Sequence, residues 1–284
     1  MRPSVLDRGH RLRARLFFRI TSAGDAPDVV RMLLYRPGFF ARPLLAITVP
    51  AMRGESAWSA AEREYLAMTI ARRYASEFCA VTHAEMVRIA GQGAIDPADP
   101  ASVRPEVRAA GDFLDALHRA PDTAVPPPGV SAAALRDALD VGLVWDVINR
   151  LANAFGFALR GDQLHTGTRA LHRFGYRFPG FLLAGGPRTD RDDPVAALRH
   201  AVLAAPAATP PELRAAAAAG DGLDEPWRSY AARVRDASDT IGDDDVARLA
   251  AAYGEDAVFE VTVAAAVGAA LATYDAGQKI VTAG

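Results

Sequence analysis

A cysteine and a histidine four residues apart are the sequence feature best suited to chemistry. Cys79, the single cysteine of the chain, precedes His83, and residues i and i+4 lie on the same face of a helix. Ser76 is a plausible N-cap, so Cys79 falls in the first turn, where free amides and the positive end of the helix dipole favour a thiolate. The sequence therefore predicts a lowered pKa for Cys79, with His83 placed to accept the thiol proton.

A glutamate on the preceding helix completes this candidate site. Ser59-Ala-Ala-Glu62 has the form of a capping box, which predicts a helix over about 60–74, and a second helix is predicted over about 77–90. The two helices are expected to run antiparallel, so Glu64 can orient the imidazole of His83. The catalytic set predicted from the sequence is therefore a nucleophile, a base and an orienting carboxylate.

The stretch from about Leu44 to Gly93 resembles the AhpD-like core of the carboxymuconolactone decarboxylase superfamily. Redox-active members carry a glutamate followed by Cys-x-x-Cys-x-x-x-His, and Glu64, Ser76, Cys79 and His83 stand at these positions, with serine replacing the first cysteine. The resemblance implies a peroxiredoxin-like, antioxidant oxidoreductase that reduces hydroperoxides or a related electrophile through Cys79. It also implies an external thiol or reductant protein in place of the missing resolving cysteine, no cofactor, and a homo-oligomer.

Other functions remain open at this point. Decarboxylase members of the same superfamily use acid/base groups, which suggests a cofactor-free enzyme acting on a small carboxylated ring or lactone, with His83 as proton shuttle and Cys79 lining the pocket. A third possibility is a non-enzymatic helical scaffold, since a lone cysteine is most often a small buried hydrophobe. Glu64, Cys79 and His83 are also competent metal ligands, but Cys-x-x-x-His supplies only two of them and we expect no metal.

A weak internal repeat directs attention to further polar residues. Val144-Trp-Asp-Val147 aligns with Val258-Phe-Glu-Val261. Three polar residues of the first copy, Asn149, Arg150 and Asn153, then match Val263, Ala264 and Val267 of the second. Buried polar groups are costly unless they find partners or line a site. We therefore expect the pocket or substrate contacts to come from the first copy: Ser76, Phe78, Trp145, Asn149, Arg150 and Asn153. The last three can instead hold helix ends or bind a neighbouring subunit, and the functional alternative for Arg150 is an anion anchor for a substrate carboxylate or a peroxide-bearing acid.

Helical periodicity dominates the chain, which predicts an all-α fold: an AhpD-like helical domain followed by a second, degenerate AhpD-like repeat. The expected divisions are a basic amphipathic arm over 1–25, the AhpD-like domain over 26–160, a linker over 161–193 and the degenerate repeat over 194–284. Further helices are expected at 105–119, 131–140, 141–158, 194–204, 210–219, 226–238, 243–252 and 255–276.

Composition narrows the classes of partner. The chain has 284 residues and a formal net charge of -2, so no strong positive field would gather nucleic acid. One cysteine cannot form an internal disulfide, and no uncharged apolar run of about 18 residues is present. We therefore expect a cytoplasmic protein with a small-molecule substrate and no membrane span. The basic arm can mimic a targeting or membrane-surface helix, but packing of its apolar side on the protein or a neighbouring subunit is expected.

Overall fold

A computed structural model describes residues 6–22, 25–184 and 193–283, and every regular element in these ranges is helical. The all-α prediction is confirmed. The α-helices are α1 (Leu12–Ser22), α2 (Asp28–Tyr35), α3 (Ala41–Arg53), α4 (Ala60–Arg73), α5 (Glu77–Gly91), α6 (Pro105–Arg119), α7 (Ala132–Ala154), α8 (Gln163–Phe174), α9 (Gly180–Leu183), α10 (Pro194–Arg199), α11 (Pro211–Ala219), α12 (Trp227–Asp236), α13 (Asp243–Tyr253) and α14 (Glu255–Ala283). A π-helical turn over His200–Ala204 follows α10.

The local signals for helix boundaries are confirmed around the candidate site. The Ser59 hydroxyl accepts a hydrogen bond from the Glu62 amide at 3.3 Å, and the Glu62 carboxylate accepts one from the Ser59 amide at 2.8 Å. This reciprocal pair is the capping box that the sequence predicted, and it starts α4. The helices α5 and α6 also begin and end within one residue of their predicted positions.

One expectation about helix bounds was wrong. The helices expected at 131–140 and 141–158 are one continuous helix, α7, which ends at Ala154. The segment expected to be a linker over 161–193 contains α8 and α9. Its glycines and aromatics suggested irregular chain, but α8 is amphipathic, and a helix of this kind is stabilised by packing its apolar side. Residues 185–192 of this segment lie outside the described residues.

The chain forms two compact units from interleaved segments. Unit 1 comprises the described residues up to Ala46, together with 150–163 and 177–269; unit 2 comprises 47–149, 164–176 and the described residues from Ala270 onward. This division rests on spatial contact and differs from the sequential domains expected above. Those domains and the two-repeat arrangement stay predictions.

Unit 2 is built around α4. This helix buries residues on all its sides, including Glu64, Leu66 and Met68, and packs closely against α5. The apolar side of α6 is also buried, as its spacing predicted: Val107, Ala110, Phe113, Leu114 and Leu117. A fully buried glutamate in such a helix needs partners, because an unpaired buried charge is strongly destabilising.

Unit 1 includes the described part of the N-terminal arm. Ala14 and Phe18 of α1 are buried in a cluster with Ala26, Leu34 and Leu182. Ala14 and Phe18 thus pack on the protein, as expected for the arm's apolar side, whereas Arg2, in the basic pattern of the arm, lies outside the described residues. Leu12, Leu16 and Ile20, which are spaced one turn apart on the same helix, stay exposed.

One helix, α14, is long and apolar enough to cross a membrane by length and composition. Its most apolar window has a mean hydropathy of 1.6, and 72% of that window is buried inside the protein. Core helices of soluble proteins pass the same test, so α14 is weak evidence for a membrane span.

Candidate functional site

A tight turn between α4 and α5 brings the predicted site residues onto facing helices of unit 2. The Ser76 amide donates a hydrogen bond to the Ala71 carbonyl at 3.0 Å, and Ala75 adopts a left-handed backbone with φ of 50°. Only three residues separate the two helices, so they must run back along each other. This turn places Glu64 of α4 opposite His83 of α5.

Glu64 and His83 form a buried hydrogen-bonded pair. Nδ1 of His83 lies 2.8 Å from Oε2 of Glu64, and the two side chains are almost completely buried. Burial alone raises the pKa of Glu64, but the hydrogen bond from His83 and the charges of His83 and Arg53 outweigh it, so the pKa lies below its ordinary value. An ionised Glu64 can only accept, and therefore Nδ1 carries the hydrogen. The lone pair of neutral His83 is then on Nε2, the atom that can act as a base.

Two residues that the sequence analysis missed complete the surroundings of Glu64. Arg53 donates from Nη2 to Oε1 at 2.7 Å, and the Tyr176 hydroxyl lies 2.9 Å from both carboxylate oxygens. The Arg53 guanidinium also lies over the Tyr176 ring, 5.0 Å from its centre. Glu64 is thus held by an arginine, a histidine and a tyrosine. Burial, followed by the charge of Glu64, raises the pKa of Tyr176 far above its ordinary range, so the phenol keeps its proton and donates.

The backbone at Tyr176 is unusual. Its φ is +64°, in the left-handed region that a bulky side chain rarely adopts. Gly175, just before it, is also left-handed with φ of +59°, and the two residues form the turn that ends α8. Strained positions of this kind persist where the surrounding structure fixes them, and they cluster at functional sites. The left-handed residue directs the phenol onto Glu64.

Trp145, expected in the pocket, lies against the histidine. Its ring meets the His83 ring edge-on with centres 4.0 Å apart and the Tyr176 ring at 5.8 Å. Its indole nitrogen lies 3.2 Å from the Met52 sulfur. One turn along α7, Asn149 is fully buried and donates to the Trp145 carbonyl at 2.7 Å. Oδ1 of Asn149 is buried without a hydrogen bond to any described residue, so Asn149 keeps an unused acceptor next to the Trp145 turn.

Cys79 behaves differently from the prediction. Its side chain is 2% exposed, and burial raises its pKa to about 12, although the nearby Ser76 hydroxyl offsets part of the effect. Ser76 is the N-cap residue of α5, but its side chain makes no capping hydrogen bond. The prediction of a lowered pKa was wrong, because loss of hydration outweighs the first-turn amides that favour a thiolate. The thiol is protonated at neutral pH.

The remaining predicted pocket residues fall into two groups. Ser76 is buried next to Cys79, and Phe78 is partly buried on the same turn of α5. Arg150 and Asn153 belong to unit 1, where Arg150 donates to the Arg235 carbonyl at 2.9 Å and Asn153 to the Ser238 hydroxyl at 3.1 Å. These bonds hold the last turn of α12 and the residues just after it, which favours the structural role over a substrate contact for these two residues.

The raised pKa predicts slow and steeply pH-dependent alkylation of Cys79. A rise from 9.0 to about 12 reduces the thiolate fraction near pH 8 by about a thousandfold, and the thiolate is the reactive form. Iodoacetamide at pH 8 should therefore label the native protein at least about 100-fold more slowly than the same chain in concentrated urea.

The pH profile separates this electrostatic effect from simple burial. With a pKa near 12 the native alkylation rate rises about tenfold per pH unit through pH 10, whereas a thiol that is only shielded follows the unfolded protein and levels off near its ordinary pKa. A rate that reaches its plateau below pH 8 would contradict the raised pKa and restore the original prediction.

Within the described ranges, no three His, Cys, Asp or Glu side chains gather as a metal site would require. Glu64 and His83 approach each other, but the third carboxylate or thiolate of such a site is not at hand.

A scan against protein-family models, a search of curated proteins and a search of solved structures each returned no match. The AhpD-like resemblance therefore rests on Glu64, Ser76, Cys79 and His83 alone.

Proposed function

We propose that this protein is an AhpD-like enzyme in which His83 transfers a proton during the reaction of a small molecule. The observation that carries the proposal is the hydrogen bond between His83 Nδ1 and the buried Glu64 carboxylate. It fixes the ring and its tautomer, and it stabilises the imidazolium that forms when Nε2 takes up a proton. Arg53 and Tyr176 hold the carboxylate in turn.

The reaction best supported is acid/base chemistry on a small carboxylated ring or lactone, without a cofactor. His83 Nε2 removes a proton from a carbon next to a carbonyl group, the bonding electrons move onto that carbonyl oxygen, and the imidazolium later returns the proton. Cys79 stays a thiol and lines the site next to Ser76, where it can donate a weak hydrogen bond. Its raised pKa favours this role over that of a resting nucleophile.

A thiol peroxidase is the second candidate, and the one-turn spacing of Cys79 and His83 favours it. In this reaction the thiol proton passes to His83 as the sulfur attacks the distal oxygen of a hydroperoxide. The O–O bond breaks, Cys79 becomes a sulfenic acid, and the leaving alkoxide takes the proton from His83. An external thiol or reductant protein must then reduce the sulfenic acid, because Ser76 offers no resolving sulfur.

Two variants distinguish the reactions. The probes are a γ-lactone carboxylic acid in D₂O, whose exchange of carbon-bound hydrogen is followed by NMR, and cumene hydroperoxide with dithiothreitol. If the reaction is acid/base chemistry, His83→Gln should lower the rate of carbon-bound hydrogen exchange in the lactone acid by about 100-fold or more. Cys79→Ser should change this rate by less than about fivefold, since the thiol transfers no proton in that reaction.

The other outcomes each reject the first reaction. Hydroperoxide consumption that disappears in Cys79→Ser, with no hydrogen exchange in the wild type, would establish the thiol peroxidase. Absence of both activities in the folded wild type would favour the non-enzymatic scaffold. Circular dichroism on each variant confirms that the helices are retained.

A further inference from the structure

A second candidate binding site lies within unit 1, in residues that the proposed function does not use. A cleft of about 590 Å³ is lined by residues of the chain before α1, the end of α2 and the segment after it, the turn after α10 and the start of α14, among them Arg11, Tyr35, Arg36, Phe39 and Asp256. This volume lies in the range of sites that hold a metabolite-sized molecule. The side chains that line the cleft determine which class of ligand it would bind.

Two carboxylates and an aromatic ring hold Arg36 in the cleft. Its Nη1 donates to the buried carboxylate of Glu260 and lies 3.8 Å from Asp256, and its guanidinium carbon lies 5.6 Å from the centre of the Phe39 ring. Nε and Nη2 form no hydrogen bond with the described part of the chain, and the side chain is 26% exposed. Arg36 therefore presents further N–H donors in a fixed orientation, which suits a planar or tetrahedral oxyanion.

The negative charge of Glu260 is shared among several donors. Its carboxylate accepts from the Ala208 amide at 2.8 Å, and from the Thr209 amide and hydroxyl at 2.7 and 2.5 Å. The buried guanidinium of Arg214 lies 3.7 Å from the same carboxylate. One carboxylate thus interacts with two arginines and three neutral donors. It holds Arg36 in place, but its single negative charge does not cancel the two positive charges of Arg36 and Arg214.

The charged residues that line the cleft, Arg11, Arg36 and Asp256, together leave a positive excess. Arg11 is exposed and donates to the Ala184 carbonyl at 3.0 Å, a neutral acceptor. Among the described residues that line the cleft, Asp256 is the one carboxylate, and it accepts from the Tyr35 hydroxyl at 2.6 Å. Two guanidiniums against one carboxylate favour an anion over a cation or a neutral polar molecule.

Four of the lining residues have apolar side chains. Phe39, Ala201, Ala205 and Pro206 contribute no charged group. We propose that this cleft binds a small organic acid, with its carboxylate or phosphate group between Arg11 and Arg36 and its apolar body against Phe39 and the Ala205–Pro206 turn. The apolar wall favours such an amphiphilic acid over a free inorganic ion.

Isothermal titration calorimetry of the full chain with three probes tests this inference. Octanoate carries both the charge and the apolar body, octanol only the body, and inorganic phosphate only the charge. We expect octanoate to bind with a Kd of about 1 mM or below and the other two at least about tenfold more weakly. Equal binding of octanol would reject the role of the arginines, and equal binding of phosphate would reject the role of the apolar wall.

A matched pair of variants locates the binding. Arg11→Ala should weaken octanoate binding at least about fivefold, whereas Arg15→Ala, which removes the same charge from an exposed position of α1 outside the cleft lining, should change it by less than about twofold. Arg36→Lys keeps a cation next to Glu260 but removes the bidentate donors, so it should weaken binding as well. Identical affinities of Arg11→Ala and Arg15→Ala, or no heat with octanoate, would overturn the proposal.

Discussion

Replacing Glu64 by glutamine is expected to lower the free energy of unfolding by about 3–5 kcal/mol. The carboxylate accepts from Arg53, His83 and Tyr176, and all three donors are buried or nearly so. A glutamine has one acceptor oxygen, and its amide would point two further N–H groups at donors. The variant therefore leaves Arg53 without its counter-charge in a dry environment. Urea denaturation followed by circular dichroism gives the difference.

The same change should have a defined pH dependence. The pKa of Glu64 in the folded protein lies below its ordinary value of 4.5. Ionised Glu64 therefore adds stability at pH values above 4.5, and this contribution is lost as the pH falls through the folded pKa. The stability difference between the wild type and Glu64→Gln should thus be complete at pH 7 and shrink in acid below about pH 4.

Two further variants provide reference values for the loss of unfolding free energy in Glu64→Gln. Glu85→Gln removes a carboxylate from α5 whose partners, Arg88 at 3.4 Å and His165 at 3.5 Å, are more than half exposed, so it should cost less than about 1 kcal/mol. Tyr176→Phe removes one donor and keeps the charge, and should cost about 2 kcal/mol. If Glu64→Gln destabilises no more than Glu85→Gln, the network around Glu64 does not contribute to stability in the way its geometry indicates.

The Glu64–His83 contact could be predicted because short-range signals fix both of its residues. The capping box of Ser59 and Glu62 sets the start of α4, and the short α4–α5 turn forces the two helices antiparallel. Once the helix ends are known, the 3.6-residue period decides which side chains face each other. This part of the site depends on little beyond the local sequence.

The other partners of Glu64 depend on the tertiary fold. Tyr176 is 112 positions away along the chain, in a segment whose glycines suggested a linker, and Arg53 lies at the end of α3, where no helix had been predicted. Helical periodicity carries no information on which distant residue meets a buried carboxylate. One hint was available: a glutamate on a buried helix needs hydrogen-bond donors, and an aromatic hydroxyl after a glycine turn is one source of them.

The pKa of Cys79 shows a second kind of limit. The first-turn position on α5 was predicted correctly, and such a position lowers a thiol pKa when water and free amides reach the sulfur. The structure instead buries the thiol. Burial of the thiol depends on which residues pack over the start of α5, and the sequence pattern over residues 76–83 carries no information about them.

Gly268→Ala is expected to destabilise the protein by about 3 kcal/mol, although alanine is the better helix former. A Cβ at position 268 would lie 2.4 Å from Cα, Cβ and the carbonyl oxygen of Ala218 in α11. Backbone atoms cannot move aside as a flexible side chain does, so α11 and this part of α14 must separate within unit 1. The small residues of α14 were evident in the sequence, but the point of closest approach was not.

Gly111→Ala is the matched control, because Gly111 also lies inside a helix, α6. An added Cβ there meets only Leu66 and Thr69 atoms at 3.7 and 3.8 Å, which is ordinary van der Waals contact. The gain in helix propensity then prevails, and we expect Gly111→Ala to raise the free energy of unfolding by about 0.5–1 kcal/mol. Urea denaturation of both variants gives the comparison. Equal stability of Gly268→Ala and Gly111→Ala would show that α11 and α14 do not approach each other at Ala218. The packing described above for this part of unit 1 would then be wrong.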